Sequence, residues 1–166
     1  MMKSLVRTFA AALLAGVLAS CPAISSASSI ESEIELLRSD LKAGKVEVVK
    51  EALHVEGAKA DAFWPVYRKY QLDLDKIGDK RIAMIKDYAA NYETMTDVKA
   101  KALVKQALDL QLARTNLLKS YYPQFEKVLG ATDAAKLIQV EHLIMALIDV
   151  QLAAEMPLIE KPAASN

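Results

Sequence analysis

His54 and His142 are the only histidines in the 166-residue chain, so metal or proton-transfer chemistry would have to start from them. Glu141 directly precedes His142. Neighbours on a helix point about 100° apart, however, and do not converge on one ion. No His-x-x-x-His or Cys-x-x-Cys spacing occurs, which argues against a dedicated zinc site. Met84, Met95, Met145 and Met156 are scattered, as core-filling methionines are. Carboxylates are plentiful, among them Glu31, Glu33, Glu35, Asp73 and Asp75. Nothing in the sequence pairs two of them in a dry pocket, as general acid–base catalysis requires. No glycine-rich loop leads into a helix, so no phosphate cradle is built. The expectation is a protein that is not an enzyme and holds neither a cofactor nor a metal.

Aromatic side chains are the remaining carriers of recognition. Trp64, Tyr67 and Tyr70 are the candidate client-binding residues, with Tyr88, Tyr92, Tyr121 and Tyr122 completing the set. Two readings stand. Either they form core with their hydroxyls at the rim, or some line an exposed concave face that binds apolar segments of other proteins.

These residues need long helices to place them. Aromatics are 6% of the chain, hydrophobic residues 53%, and Gly and Pro five each. That balance favours Ala- and Leu-rich helices over sheets. Phe63, Tyr67, Tyr70, Leu74, Ile77, Arg81, Met84 and Tyr88 recur at steps of four and three, a stripe on one side of a helix over residues 58–92. Arg81 alone interrupts it. Pro65 predicts a kink or a helix start just before it. The mixed charges on the other faces read as a solvated surface.

An earlier helix is expected from Ser28, with Glu31 at capping-box spacing and Ile30, Ile34, Leu37 and Leu41 in register. It has a weak point at Gly44 and continues through Val46, Val49 and Leu53. A third helix opens at Thr96, a good N-cap, with Asp97 at the positive helix end. Leu103, Ala107, Leu110, Leu117, Tyr121, Phe125 and Val128 mark its apolar side, and Pro123 is expected to bend it. After Gly130, Thr132 repeats the cap signal and opens a fourth helix. Its stripe of Leu137, Val140, Ile144, Leu147, Ile148 and Leu152 reads as wide and suited to a core position. Pro157 stops it. The fold class is therefore all-α: about four helices in long amphipathic hairpins, closing into a bundle or opening into a cradle.

Residues 1–27 read as a signal peptide, 28–158 as the helical domain, and 159–166 as a loose tail. Lys3 and Arg7 precede a short apolar run from Phe9 to Leu18, and Ser25-Ser26-Ala27 offers a cleavage site. The lone Cys21 excludes an intramolecular disulfide. It follows Leu18-Ala19-Ser20, which makes it a lipidation candidate, with cleavage before Cys21 as the alternative to cleavage after Ala27. The expected location is the periplasm, and a membrane is involved only if Cys21 is lipidated. After residue 27 the chain carries 19 basic against 21 acidic residues, so no basic surplus exists for nucleic acid.

Phe63-Trp64-Pro65-Val66-Tyr67, the long charged helix after it, Met95-Thr96-Asp97-Val98-Lys99 and the final amphipathic helix together resemble the Spy/CpxP-like periplasmic proteins. That family carries Leu-Thr-x-x-Gln motifs at helix starts. Thr96 matches the Thr, with Met95 in place of Leu and Lys99 in place of Gln. Thr132 matches as a cap, with Ala131 and Ala135 in place of Leu and Gln. The resemblance implies a helical, cradle-like protein, often an antiparallel homodimer. It also implies a role as ATP-independent chaperone, stress-signalling modulator or metal-responsive protein. Two functions follow as expectations. One is a helical protein that holds unfolded or envelope proteins. The other is a structural adaptor, or lipoprotein, docking on an envelope complex through its helical stripe.

Overall fold

The computed structural model describes Ser39 and residues 43–159. The leader, Cys21, the Ser28 cap with its Ile30, Ile34, Leu37 and Leu41, and the tail from residue 160 lie outside the described residues.

The chain divides into two units, one ending at His54 and one starting at Val55. In the first, residues 43–53 form helix α1, which runs through Gly44 and buries Val49 and Leu53, four residues apart. His54 stops it with a φ of 49°, the left-handed conformation common just past a helix end.

The second unit holds three helices, α2 (Gly57–Asn91), α3 (Asp97–Leu129) and α4 (Ala131–Glu155). At 1.5 Å per residue they are about 50, 50 and 40 Å long. A single 3-10 turn, Tyr92–Thr94, joins α2 to α3. One residue, Gly130, joins α3 to α4. It closes α3, donating its N–H to the Glu126 carbonyl at 2.9 Å, and starts α4 by accepting from the Ala134 N–H at 3.0 Å. Its φ of 83° with ψ of 159° is open only to glycine, so a one-residue reversal is possible here and nowhere else between these helices.

Side-chain links fix the register. Lys59 meets Asp133, Tyr67 and Tyr70 meet Glu141, Arg81 meets Asp149, and Tyr88 donates to the Pro157 carbonyl. Residue numbers rise together along this series, so α2 and α4 run parallel. Tyr121 reaches Asp73 and Lys99 reaches Asp87, so α3 runs antiparallel to α2. The unit is an up-down-up three-helix bundle, and no strand occurs among the described residues.

The α2 stripe faces inward as the spacing predicts. Phe63, Tyr67, Tyr70 and Tyr88 are buried, and Leu74, Ile77, Arg81 and Met84 are half-buried. Pro65 and Pro123 both lie inside continuous helices rather than at a start. Each leaves the carbonyl four residues back without its helical donor. Those residues, Asp61 and Lys119, are exposed, as are the prolines themselves, so the freed carbonyls lie on the water side.

Two expectations fail in α4. Thr132 is not its cap, because the helix has already begun at Ala131 with Gly130 as the capping residue and no side-chain bond. The stripe is also not core throughout. Leu137, Val140 and Ile144 are buried, but Leu147 is exposed, and Ile148 and Leu152 are half-buried. With only two partner helices in its unit, α4 has more apolar circumference than they cover.

Candidate functional site

The aromatic end of the bundle comes from one short pattern used twice. Phe63-Trp64-Pro65-Val66-Tyr67 on α2 and Tyr121-Tyr122-Pro123-Gln124-Phe125 on α3 both read aromatic, aromatic, proline, any residue, aromatic. The first and last residues of each pattern are four apart and share a helix face. The antiparallel packing brings the two faces together. Phe125 lies 6.1 Å from Phe63, 6.4 Å from Tyr67 and 5.6 Å from Tyr70, ring centre to ring centre. Tyr70 meets Tyr121 edge-on at 5.5 Å. Such pairs add roughly 0.5–1.5 kcal/mol each beyond their burial.

Glu141 of α4 is fully buried at this end. Its two carboxylate oxygens each accept one tyrosine hydroxyl, from Tyr67 at 2.8 Å and Tyr70 at 2.9 Å. Burial raises both phenols well above their ordinary range, and the Glu141 charge and hydrogen bonds raise them further. They stay protonated and act as donors, not as nucleophiles or bases. Tyr121 is pushed up to about 12, by desolvation first and by its 2.6 Å bond to Asp73 second. Asp73 is held below the usual carboxylate range by the hydrogen bonds from Lys76 and Tyr121.

An ionic node follows, two helical turns further along α4. Arg81 donates to Asp149 at 2.6 Å, and Arg114 donates to both its oxygens at 3.1 and 2.9 Å. Burial alone would raise the Asp149 carboxyl, but the two guanidiniums outweigh it and hold it low. All three helices are tied at this one carboxylate.

Beyond the node the inside is smaller and the outside more apolar. Tyr88, Met95 and Leu103 form the second cluster, with Met84, Tyr92, Ala100 and Met156 against it. On α3, Val98 is 81% exposed, Val104 55%, Leu108 60% and Leu112 59%. Val104, Leu108 and Leu112 stand four apart on one face, and Val98, Lys101, Ala102 and Lys105 edge a shallow depression alongside. On α4, Leu143 and Leu147, between Glu141 and the node, and Val150, just past it, are exposed as well. Apart from Leu72, every large apolar residue exposed in the three-helix unit lies at position 98–112 or 143–159.

Tyr67 and Tyr70, the candidate client-binding residues, are thus internal, with their hydroxyls committed to Glu141. Trp64 is half-buried, packed on Phe63 at 4.8 Å and edge-on to Tyr67 at 5.8 Å. Arg68 and Lys69 are exposed, whereas Arg81 is tied to Asp149. Thr96 does cap α3, its hydroxyl accepting the Lys99 N–H at 3.2 Å. The Lys99 ammonium instead ties α3 to Asp87 of α2 at 2.6 Å. His54 and His142 fall in different units, and no group of three metal-ligating side chains forms among the described residues.

Sequence reasoning missed the outward stripe of α3, because the inward one (Leu103, Ala107, Leu110) already satisfied helical periodicity. It also missed Glu141 as an internal anchor, although a lone carboxylate inside the run from Leu137 to Ile148 was a visible signal. The doubled aromatic-proline pattern was the signal for the aromatic end. No family model, curated protein or solved structure matches the chain.

Proposed function

We propose that this protein is an exported helical binding protein that holds apolar segments of unfolded or envelope proteins without nucleotide, as the resemblance to the Spy/CpxP-like proteins also suggests. The observation that carries the reading is the outward stripe Val104, Leu108 and Leu112 on α3, edged by Lys101 and Lys105. Contiguous exposed apolar side chains with a polar edge are what a protein-binding surface presents. The aromatic end supplies the support rather than the contact. Its core, with both Glu141 oxygens bonded, keeps three long helices in register while α3 carries the exposed stripe. Lys101 and Lys105 give the stripe a basic edge, which favours segments carrying a carboxylate beside the apolar residues. Lys105 is partly answered by Asp109 on its own helix, so the preference is mild.

Light scattering of a chemically denatured client, diluted with and without this protein and with no nucleotide, tests the reading. Wild type is expected to suppress aggregation near equal molar ratio. The triple variant Val104→Ser, Leu108→Ser, Leu112→Ser is expected to lose most of that suppression while keeping its helicity. Unchanged aggregation at several-fold excess of wild type would overturn the proposal, and equal suppression by the triple variant would remove α3 from it.

A further inference from the structure

We propose that residues 158–164, just past α4, form a strap that lies along the outward stripe of α3 and competes with clients for it, an inference that rests on the client-binding reading above.

The chain is delivered to α3 by specific bonds. Met156, just past α4, is already extended, with φ −97° and ψ 118°, and Pro157 bars a further turn. Tyrosine hydroxyls then hold the backbone: Tyr88 donates to the Pro157 carbonyl at 2.5 Å and Tyr92 to the Leu158 carbonyl at 3.1 Å. Tyr88 sits at the end of α2, and Tyr92 opens the turn into α3. Met156 packs against the cluster that includes Ala100 and Leu103 of α3. The segment therefore leaves α4 beside the first turns of α3. Its backbone is anchored while its side chains are not: Leu158 is 86% exposed and Ile159 45%.

Reach, chemistry and charge all match the stripe. Leu112, its far end, lies about 18 Å from Ala100 along the helix axis. An extended chain from Met156 to Ala164 spans up to about 26 Å, enough to pass Val104, Leu108 and Leu112. Pro162 disfavours a helix, which would shorten that reach. Leu158 and Ile159 are apolar, and laying them on Val98 and Val104 removes both sets from water. Glu160 follows at once, and Lys101 and Lys105 edge the stripe. Lys105 pairs with Asp109, whereas Lys101 has no ion pair among the described residues and is the matching cation. Tethering gives the segment an effective concentration on the order of millimolar at the stripe. A contact of a few side chains is then populated, yet a client with more apolar residues displaces it. The arrangement described above, with strap and stripe both exposed, is the open state of that equilibrium.

Disulfide trapping in the purified chain carrying Cys21→Ser tests the contact without any client. Ala163→Cys is paired either with Leu112→Cys on the stripe or with Lys80→Cys on an exposed part of α2. Lys80 is also about 18 Å from the anchoring turn, so the two pairs differ in face and not in reach. Under mild oxidation the stripe pair is expected to close several-fold faster. Lys101→Glu should slow it, and Glu160→Lys added to Lys101→Glu should restore the rate. In the light-scattering assay, the Leu158→Ser, Ile159→Ser variant is expected to suppress aggregation at a several-fold lower ratio than wild type, because its stripe is free. Circular dichroism checks that each variant is folded. Equal closure of the two cysteine pairs would overturn the strap. Where wild type suppresses aggregation, unchanged suppression by the serine variant would overturn it as well. Weaker suppression would do the same and place Leu158 and Ile159 among the client contacts. Faster closure on the stripe with no suppression by either protein would uphold the strap and overturn the client-binding reading.

Discussion

The two halves of the three-helix unit are built from the same helices and solve opposite problems. At the aromatic end, Phe63, Tyr67, Tyr70, Tyr121 and Phe125 fill the interior, and the one buried charge has both oxygens bonded. At the far end, the interior narrows to Tyr88, Met95 and Leu103, and large apolar side chains point outward, most of them on α3. The difference is one of side-chain volume. Rings fill the space among three helices at one end, whereas the far half of α3 carries Val104, Leu108 and Leu112 on its outer face as well as Leu103, Ala107 and Leu110 on its inner one. Two partner helices can cover only part of such a circumference. Ring packing is therefore concentrated at one end and the exposed α3 stripe at the other, and substitutions should separate them.

The largest expected effect is at Glu141. Glu141→Ala strips both tyrosine hydroxyls of their acceptor inside an apolar cluster, a loss of about 3–5 kcal/mol. Denaturant unfolding followed by circular dichroism measures it. Val104→Ser and Leu108→Ser, each on the exposed stripe, should stay within about 0.5 kcal/mol of wild type in the same assay. If the stripe substitutions cost as much as Glu141→Ala, the division into a supporting end and a contacting end is wrong.

Alkaline titration sharpens the contrast. Tyr67, Tyr70 and Tyr121 are all raised in the folded state, so the unfolded chain loses those protons first, from about pH 10. Their contribution is fully present below pH 10 and declines above it as pH climbs toward the folded values. The Tyr67→Phe, Tyr70→Phe, Glu141→Leu triple variant should flatten that decline without touching the far half. Melting temperature against pH from 8 to 11 is the readout (these pH limits bracket the ordinary phenol value of about 10), and an identical slope in both proteins would refute the assignment.

The ionic node between the halves comes next. Asp149 is depressed in the folded state, so its contribution is present above the ordinary carboxylate value and lost as pH falls through the folded one. Asp149→Asn leaves two guanidiniums facing each other. At about a third exposure the cost should be near 1–2 kcal/mol at neutral pH after screening. It should vanish in acid, where wild type has lost the same charge. A cost that persists unchanged below pH 3 would mean that Asp149 acts through packing rather than charge, pH 3 lying just under the ordinary carboxylate value of about 3.9.

Helices were legible because their signals are local. The step of four and three on α2, the Thr96 cap and the stop before Pro157 all depend on neighbours within a turn or two. The site was less legible because it depends on which helix faces meet. Tyr67 and Tyr70 look the same in sequence whether they point at clients or at Glu141, and only the parallel register of α2 and α4 decides. Thr132 misled for a related reason. A Thr-Asp pair is a good cap in isolation, but Gly130 reverses the chain two residues earlier and takes the role. The uncovered face of α4 was hidden by counting apolar positions, since periodicity reports how wide a stripe is and not how many partners are present to cover it.

Thr96→Ala is the smallest change that still tells the halves apart. The Thr96 hydroxyl accepts the Lys99 N–H, one of four amides at the start of α3 that lack a helical acceptor. Removing an N-cap costs about 1 kcal/mol. The start of α3 is the far end of the bundle, next to Met95 and the 3-10 turn, so the cost should appear as local fraying rather than global loss. Hydrogen exchange should speed up at the amides of Val98, Lys99 and Ala100 in the variant and stay unchanged at Leu118 to Phe125. Lys99 also ties this turn to Asp87, and the double variant Thr96→Ala, Lys99→Ala should extend the fraying toward Leu103. If faster exchange instead reached the aromatic end, the two halves would be one cooperative unit. The exposed stripe of α3 could not then loosen without unfolding the aromatic end.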